Sequence, residues 1–362
     1  MHTAAWCAWV AMVMALALST TNPLYLAVIL LGVLLVAALA PRTQAGVMSF
    51  RALGVFGVAM FGISLVIATI NGNFGDHILF TIPGPDVPSW LGGLRLGGPV
   101  SAEGLAAAAI RGLAILSILL AFGVFNGAVS PQRVLRSTPA ALFQASLVVT
   151  IGLTLLPASI EDMRRVREMR ALRGARGGLR GLPPLVVPAV IGGLERSMRL
   201  AEAMEARGYG AAPELPRRAR YAAALSAPLA IAAAWCWFYQ DDWRAIARAC
   251  VLLAVLCLGY WWRTAARLHR TTRLTAEPLP MVDRVLAWGA LGGAAAVVTC
   301  RAAGLGGMTY NPFAGLPAPA FSPLGASLAL LAAWPALRLL TADPQRGQPA
   351  ALDQHLAPEV TR

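Results

Sequence analysis

Apolar residues fall in long runs, at about Ala4–Ser19, Leu24–Ala40, Ala52–Ile70, Leu105–Phe125, Leu142–Leu156, Ala222–Tyr239, Ala245–Trp262, Val285–Cys300 and Leu324–Leu340. Runs that are apolar on every face, rather than along one stripe, predict helices surrounded by apolar material. Roughly 20 such residues cover the hydrocarbon core of a bilayer. Pro23, Pro41 and the Asn71–Gly75 cluster punctuate the first three runs, as turn chemistry should. The pattern predicts an all-α polytopic membrane protein. Composition agrees, since 13% of the 362 residues are charged and 57% hydrophobic, against about 25% charged in a soluble domain. The opening stretch Met1–Ser19 has neither a basic leading region nor a clean small-residue cleavage site, and is read as a retained first span.

Arginine sets the orientation. Arg42 and Arg51 lie between the second and third runs, Arg133 and Arg136 follow the fourth, and Arg263, Arg267, Arg270 and Arg273 follow Trp262. The Asn71–Gly104 connection instead holds Asp76, Asp86 and Glu103 against one Arg, and Ala302–Ser322 has no charge. Placing the Arg-rich connections in the cytoplasm puts both termini inside. The exception is Leu142–Leu156. As a full crossing it would place Ala158–Arg220, with 13 Arg against 7 acids, outside the cell. The run is short, about 15 residues between Pro139 and Pro157, and is read as interfacial or re-entrant, leaving about eight transmembrane helices. The expected layout is residues 1–126 as N-terminal transmembrane helices, 127–218 as a cytoplasmic or interfacial region, 219–340 as C-terminal transmembrane helices and 341–362 as a cytoplasmic tail.

The region before residue 218 is far longer than a connection requires, and it reads as amphipathic helix written twice. In the first half Ser159 is expected as an N-cap, with Glu161 and Asp162 in the first turn where the helix dipole favours acids. Ile160, Met163, Val166, Met169 and Leu172 recur at three-residue steps, while Arg164, Arg165, Arg167 and Arg170 crowd the other faces. Gly174, Gly177, Gly178 and Gly181 stop this helix, and Pro183–Pro184 enforce the break. The second half starts after Pro188 and carries Leu194, Met198, Ala201 and Met204 on one face. Glu195 and Arg199 fall at i and i+4, where they can pair weakly. It ends at Gly208 and Gly210 with Arg207 in its last turn. Each half is thus an amphipathic helix ending in an Arg-Gly signature. Such helices suit two occupants, an anionic lipid surface or an acidic groove on a soluble partner, where guanidinium pairs carboxylate bidentately.

Every one of the 30 basic residues is Arg. Without Lys there is no P-loop, no kinase strand lysine and no Schiff base. If ATP drives this protein, another chain binds it. Cys7, Cys236, Cys250, Cys257 and Cys300 lie in apolar runs, odd in number and without a CxxC pair, and the four His residues are scattered. No metal constellation emerges. A carrier or channel would be expected to show internal repeats and mid-membrane acids or His, yet Arg111 is the main ionisable residue inside a span. A membrane enzyme would need a carboxylate or His cluster, and Glu161, Asp162 and Glu168 look like ordinary first-turn and surface acids. Nucleic-acid binding lacks interleaved aromatics before Tyr209.

The stretch Ala201–Gly210, AEAMEARGYG, is very similar to the second coupling motif of the T component (CbiQ/EcfT type) of energy-coupling-factor (ECF) transporters. The earlier Met169–Gly174, MRALRG, resembles the first, with Arg173 sixteen residues after Pro157. Gly92–Leu105, Asn126–Leu142 and Pro188–Met198 are also similar, so the resemblance covers roughly residues 20–240. It implies cytoplasmic coupling helices whose Arg-centred tips insert into two ABC-type ATPase subunits. It also implies a small membrane-embedded S component that binds a vitamin or a metal ion such as cobalt. No cofactor is then expected in this chain, because ATP and Mg bind the partner ATPases. By that resemblance, motif 2 is Ala206, Arg207 and Gly208, and motif 1 is Leu172, Arg173 and Gly174. Ala175, Arg176 and Gly177 form an alternative register for motif 1, with the spacing from Pro157 favouring Arg173. The three apolar runs after Arg244 exceed the family's usual extent, and the resemblance assigns them no role.

Overall fold

The computed structural model describes residues 1–40, 44–70, 75–82, 98–136, 138, 140–172, 183–209, 215–239, 244–268 and 280–341. The elements in chain order are α1 (Thr3–Ser19), α2 (Pro23–Leu39), α3 (Gln44–Ile70), β1 (Ile78–Ile82), β2 (Gly98–Ser101), α4 (Ala102–Ala128), α5 (Pro131–Arg136), α6 (Phe143–Leu172), α7 (Pro183–Ala206), α8 (Arg217–Tyr239), α9 (Arg244–Leu268), α10 (Met281–Ala302), α11 (Pro323–Leu330) and α12 (Trp334–Thr341). Short 3₁₀ turns at Ala140–Leu142, Pro312–Ala314 and Leu331–Ala333 complete the set. Seven segments are long and apolar enough to cross a membrane, the last running from Pro323 to Leu340 through α11 and α12, and α1 and α2 are shorter apolar helices. The protein is an all-α polytopic membrane protein. The antiparallel pair β1–β2 is the only sheet among the described residues.

The chain forms two compact units, Met1–Ser130 with Glu277–Arg362, and Pro131–Ala276. In the first, α1 and α2 supply the centre, where Trp9, Met12, Val13, Tyr25, Leu26, Ile29, Val33 and Val36 are all buried. Cys7 lies on the exposed side of α1. The two apolar runs near the C-terminus, to which the sequence assigned no role, close this centre. α10 runs parallel to α1. The His2 amide donates to Asp283 Oδ2 (2.7 Å) at one end, and the Arg301 guanidinium donates to the Ser19 carbonyl at the other. The Pro323–Leu340 segment likewise runs parallel to α2, with Gly325 against the Tyr25 ring and Gly32 against the backbone of Ala332 and Ala333. A Cβ on Gly32 would stand 3.0 Å from the Ala333 nitrogen, so any larger residue would push the two backbones apart by a few tenths of an ångström. Against α4, α3 packs antiparallel with glycines on both sides: Gly57 meets Leu116, and Phe61 and Phe50 cover Gly112 and Gly123. Small residues let helices close where burial from water no longer drives them together.

In the second unit α8 and α9 pack as a hairpin, the 3₁₀ turn at Ala140–Leu142 rests on α9, and α6 meets α7. One expectation changes here. Instead of a short apolar run followed by a new helix capped by Ser159, α6 is a single 30-residue helix with Pro157 inside it. Proline removes one donor without ending the helix, and the Ser159 hydroxyl, expected to cap, donates to the Leu155 carbonyl within it (3.0 Å). The second change is that α7 begins at Pro183 rather than after Pro188. Prolines in a first turn lack only donors that have no intrahelical partner there, so Pro183 and Pro184 start this helix.

Candidate functional site

The clearest local geometry in the second unit is the end of α7. The Gly208 amide donates to the Glu205 carbonyl (2.9 Å) and the Tyr209 amide to the Met204 carbonyl (3.0 Å), with Gly208 at φ +79°. This is a Schellman closure, in which the residue after the cap must adopt the left-handed conformation that glycine takes without penalty. Arg207 is therefore the C-cap residue, held at a defined point beyond the last turn of α7. Its side chain is exposed, and among the described residues nothing pairs with the guanidinium. Ala206 and Gly208 flanking it are exposed as well, so small residues leave the cation standing clear of the backbone.

Behind that tip α7 exposes apolar and acidic residues together. Val190, Ile191, Leu194 and Met198 are exposed apolar residues, while Glu195, Glu202 and Glu205 are polar and exposed. The expected Glu195–Arg199 pair is present but loose, at 3.9 Å, with Arg199 Nε also donating to the Glu195 carbonyl at 3.3 Å. On α6, Ile160, Met163, Met169 and Leu172 are likewise exposed, and Leu172, at the end of the helix, is 88% exposed. An apolar stripe left in the open along two neighbouring helices marks a surface for another molecule. Arg173, Gly174, Ala175, Arg176 and Gly177, which carry both registers of motif 1, lie outside the described residues.

A contact that the sequence reading missed joins the two helices: Asp162 on α6 and Arg196 on α7 form an ion pair. In sequence Asp162 has the place of a first-turn acid, a role that vanishes once α6 runs through it. A signal was nonetheless present. The two halves align at an offset of 34 residues, which sets Arg173 over Arg207, Leu172 over Ala206 and Gly174 over Gly208, and sets Asp162 over Arg196 with opposite charge. Opposite charges at those matched positions are what a pair joining two similar helices side by side requires.

Elsewhere in the second unit, α8 and α9 enclose an apolar groove of about 500 Å³, lined by Ala227, Ala230, Ala233, Val251, Ala254 and Leu258 among others. Its walls are small residues on segments of crossing length, the composition that lets a further helix approach closely. Among the described residues no group of three or more His, Cys, Asp or Glu is placed to hold a metal. No protein-family model matches the chain, and a search of curated proteins finds no match.

Proposed function

We propose that this chain is the transmembrane coupling component of an ECF-type ABC importer. In this reading it transmits the ATP-driven motion of two partner ATPases to a small membrane-embedded S component that takes up a vitamin or a transition-metal ion. The observation that carries the reading is the end of α7, where an unpaired Arg207 is fixed by a glycine-closed cap at the tip of a helix whose apolar stripe is open. A fixed tip matters because a lever transmits force only if its end does not fray. The arginine suits an acidic groove because it offers a planar, permanently charged fork. The bond between α6 and α7 supports the same reading, since paired helices move as one element. The α8–α9 groove supplies a surface that an S component could occupy. ATP and Mg²⁺ reside in the partners, and both ends of the chain lie in the cytoplasm of a cell bounded by the plasma (inner) membrane.

The test is affinity purification of the full chain from its own membranes in mild detergent, with the co-purifying proteins identified. Two Walker-motif ATPases and a small, very hydrophobic protein are expected, and the Arg207→Glu variant should lose the ATPases while remaining in the membrane. A chain that purifies alone and moves solute by itself in liposomes overturns the proposal and returns the Arg-rich helices to lipid anchoring.

A further inference from the structure

The connection between α10 and α11, residues 303–322, carries no charged residue. Met308 and Pro312 are buried, but four large apolar side chains are exposed: Phe321 71%, Leu305 57%, Phe313 48% and Leu316 37%. Its backbone is held from beneath by the α1–α2 turn. Thr21 N–H and Thr20 Oγ1 donate to the Met308 carbonyl (2.9 and 3.1 Å), and Asn22 Nδ2 donates to the carbonyls of Gly307 (3.0 Å) and Ala320 (2.8 Å). The Ser322 amide donates to the Tyr25 hydroxyl (2.7 Å), and the Tyr310 amide to Thr21 Oγ1 (2.8 Å). Pro312, Pro317 and Pro319 have no amide hydrogen to satisfy. Further turns close Ala314 onto Asn311 and Leu316 onto Pro312. Leu316, at φ +51°, is the sole non-glycine residue with positive φ among the described residues, and the tight turn keeps it outward.

An uncharged loop with much of its backbone bonded internally can sit where water is scarce, because each orphan polar group there costs several kcal/mol. Connectivity fixes where this loop sits. It joins two segments of crossing length, and Val298 before it and Leu324 after it are exposed apolar residues on those segments. Because α10 runs parallel to α1 and α1, α2 and α3 alternate in direction, the α3–α4 connection starts from the same face, and it carries Asp76, Asp86 and Arg95, as a loop in water does. We infer that residues 303–322 form a rigid cap whose exposed Leu305, Phe313, Leu316 and Phe321 lie in the headgroup–acyl boundary of the bilayer.

The experiment uses the full chain with its five cysteines replaced. Single cysteines are introduced as Phe313→Cys or Phe321→Cys, with Asp76→Cys as the aqueous control on the same face. Each is labelled with the fluorophore NBD and reconstituted in phosphatidylcholine vesicles. At 313 and 321, lipid bearing a nitroxide near the carbonyl end of its acyl chain should remove most of the fluorescence, while aqueous iodide should remove little. At 76 the order should reverse. Iodide quenching at 313 and 321 as strong as at 76 overturns the inference, and so does protection from both quenchers, which would mean protein covers the loop. Leu305→Cys provides the same reading if either aromatic replacement prevents folding.

Discussion

Asp162 and Arg196, the ion pair that joins α6 to α7, each stand eleven residues before the arginine of their own motif, Arg173 and Arg207. At 1.5 Å per residue, the helix from Asp162 to Leu172 and that from Arg196 to Ala206 are each about 15 Å long. The pair is partly open, with side chains 33% and 46% exposed, so solvent screens it. A double-mutant cycle of Asp162→Ala and Arg196→Ala on thermal stability should give a coupling of about 0.5–1 kcal/mol. The effect on coupled transport should be larger than that figure suggests, because the pair holds two levers in register. The reversed pair, Asp162→Arg with Arg196→Asp, should restore transport in vesicles. Transport that stays normal in both single variants would show that α6 and α7 need no such bond.

The same spacing bears on motif 1. Arg173 matches the position of Arg207 relative to the ion pair, whereas Arg176 lies three residues further on. Arg173→Glu should therefore abolish ATPase recruitment, and Arg176→Glu should leave most of it. Pull-down of the ATPases by each variant decides the register, and equal losses would assign the tip to the whole Arg-Gly run.

At the α7 end, side chain and backbone are separable. Arg207→Lys keeps the charge but loses the fork, so recruitment should be intermediate between the native chain and Arg207→Glu. Gly208→Val forces a β-branched residue into the left-handed region at a cost of roughly 1–2 kcal/mol, and Gly208→Asn should be milder because asparagine visits that region. If both Gly208 variants couple normally, the fixed cap is unimportant and flexible charge suffices. Measuring ATPase binding alongside uptake separates a misplaced tip from a lost one.

What the sequence revealed and what it hid divide along physical lines. Long apolar runs and an Arg-Gly helix stop are local signals, and the helices over Ala4–Ser19, Leu24–Ala40 and Leu105–Phe125, and the end of α7, fall where those signals put them. Ser159 was misread because proline marks a break in water more reliably than in an apolar helix. The parallel pairing of α1 with α10 was invisible, since His2 meets Asp283 and Ser19 meets Arg301 across some 280 residues with no pattern to announce it. The glycines that set helix spacing, Gly32 and Gly325 among them, carry no local signal of the distant residues they meet.

That long-range pairing supplies the last prediction. Asp283, 1% exposed at the start of α10, accepts the His2 amide through Oδ2 and lies 2.7 Å from Arg338 Nε through Oδ1. His2 in turn caps α1, its Nδ1 accepting the Ala4 amide (3.1 Å). One carboxylate thus fastens α1, α10 and α12 at the same end. Asp283→Ala removes both the acceptor of the His2 amide and the partner that lies 2.7 Å from Arg338 Nε, and losing these two bonds costs on the order of 2 kcal/mol. Asp283→Asn keeps an acceptor for His2 and should lose less. In detergent, the apparent melting temperature should fall more for Asp283→Ala than for Asp283→Asn, and Arg338→Leu should lower it less in the Asp283→Ala background than in the native chain, because the bond between the two is already lost there. If Arg338→Leu lowers it equally in both backgrounds, the two residues stabilise the unit separately and the carboxylate is not the point that joins the three helices.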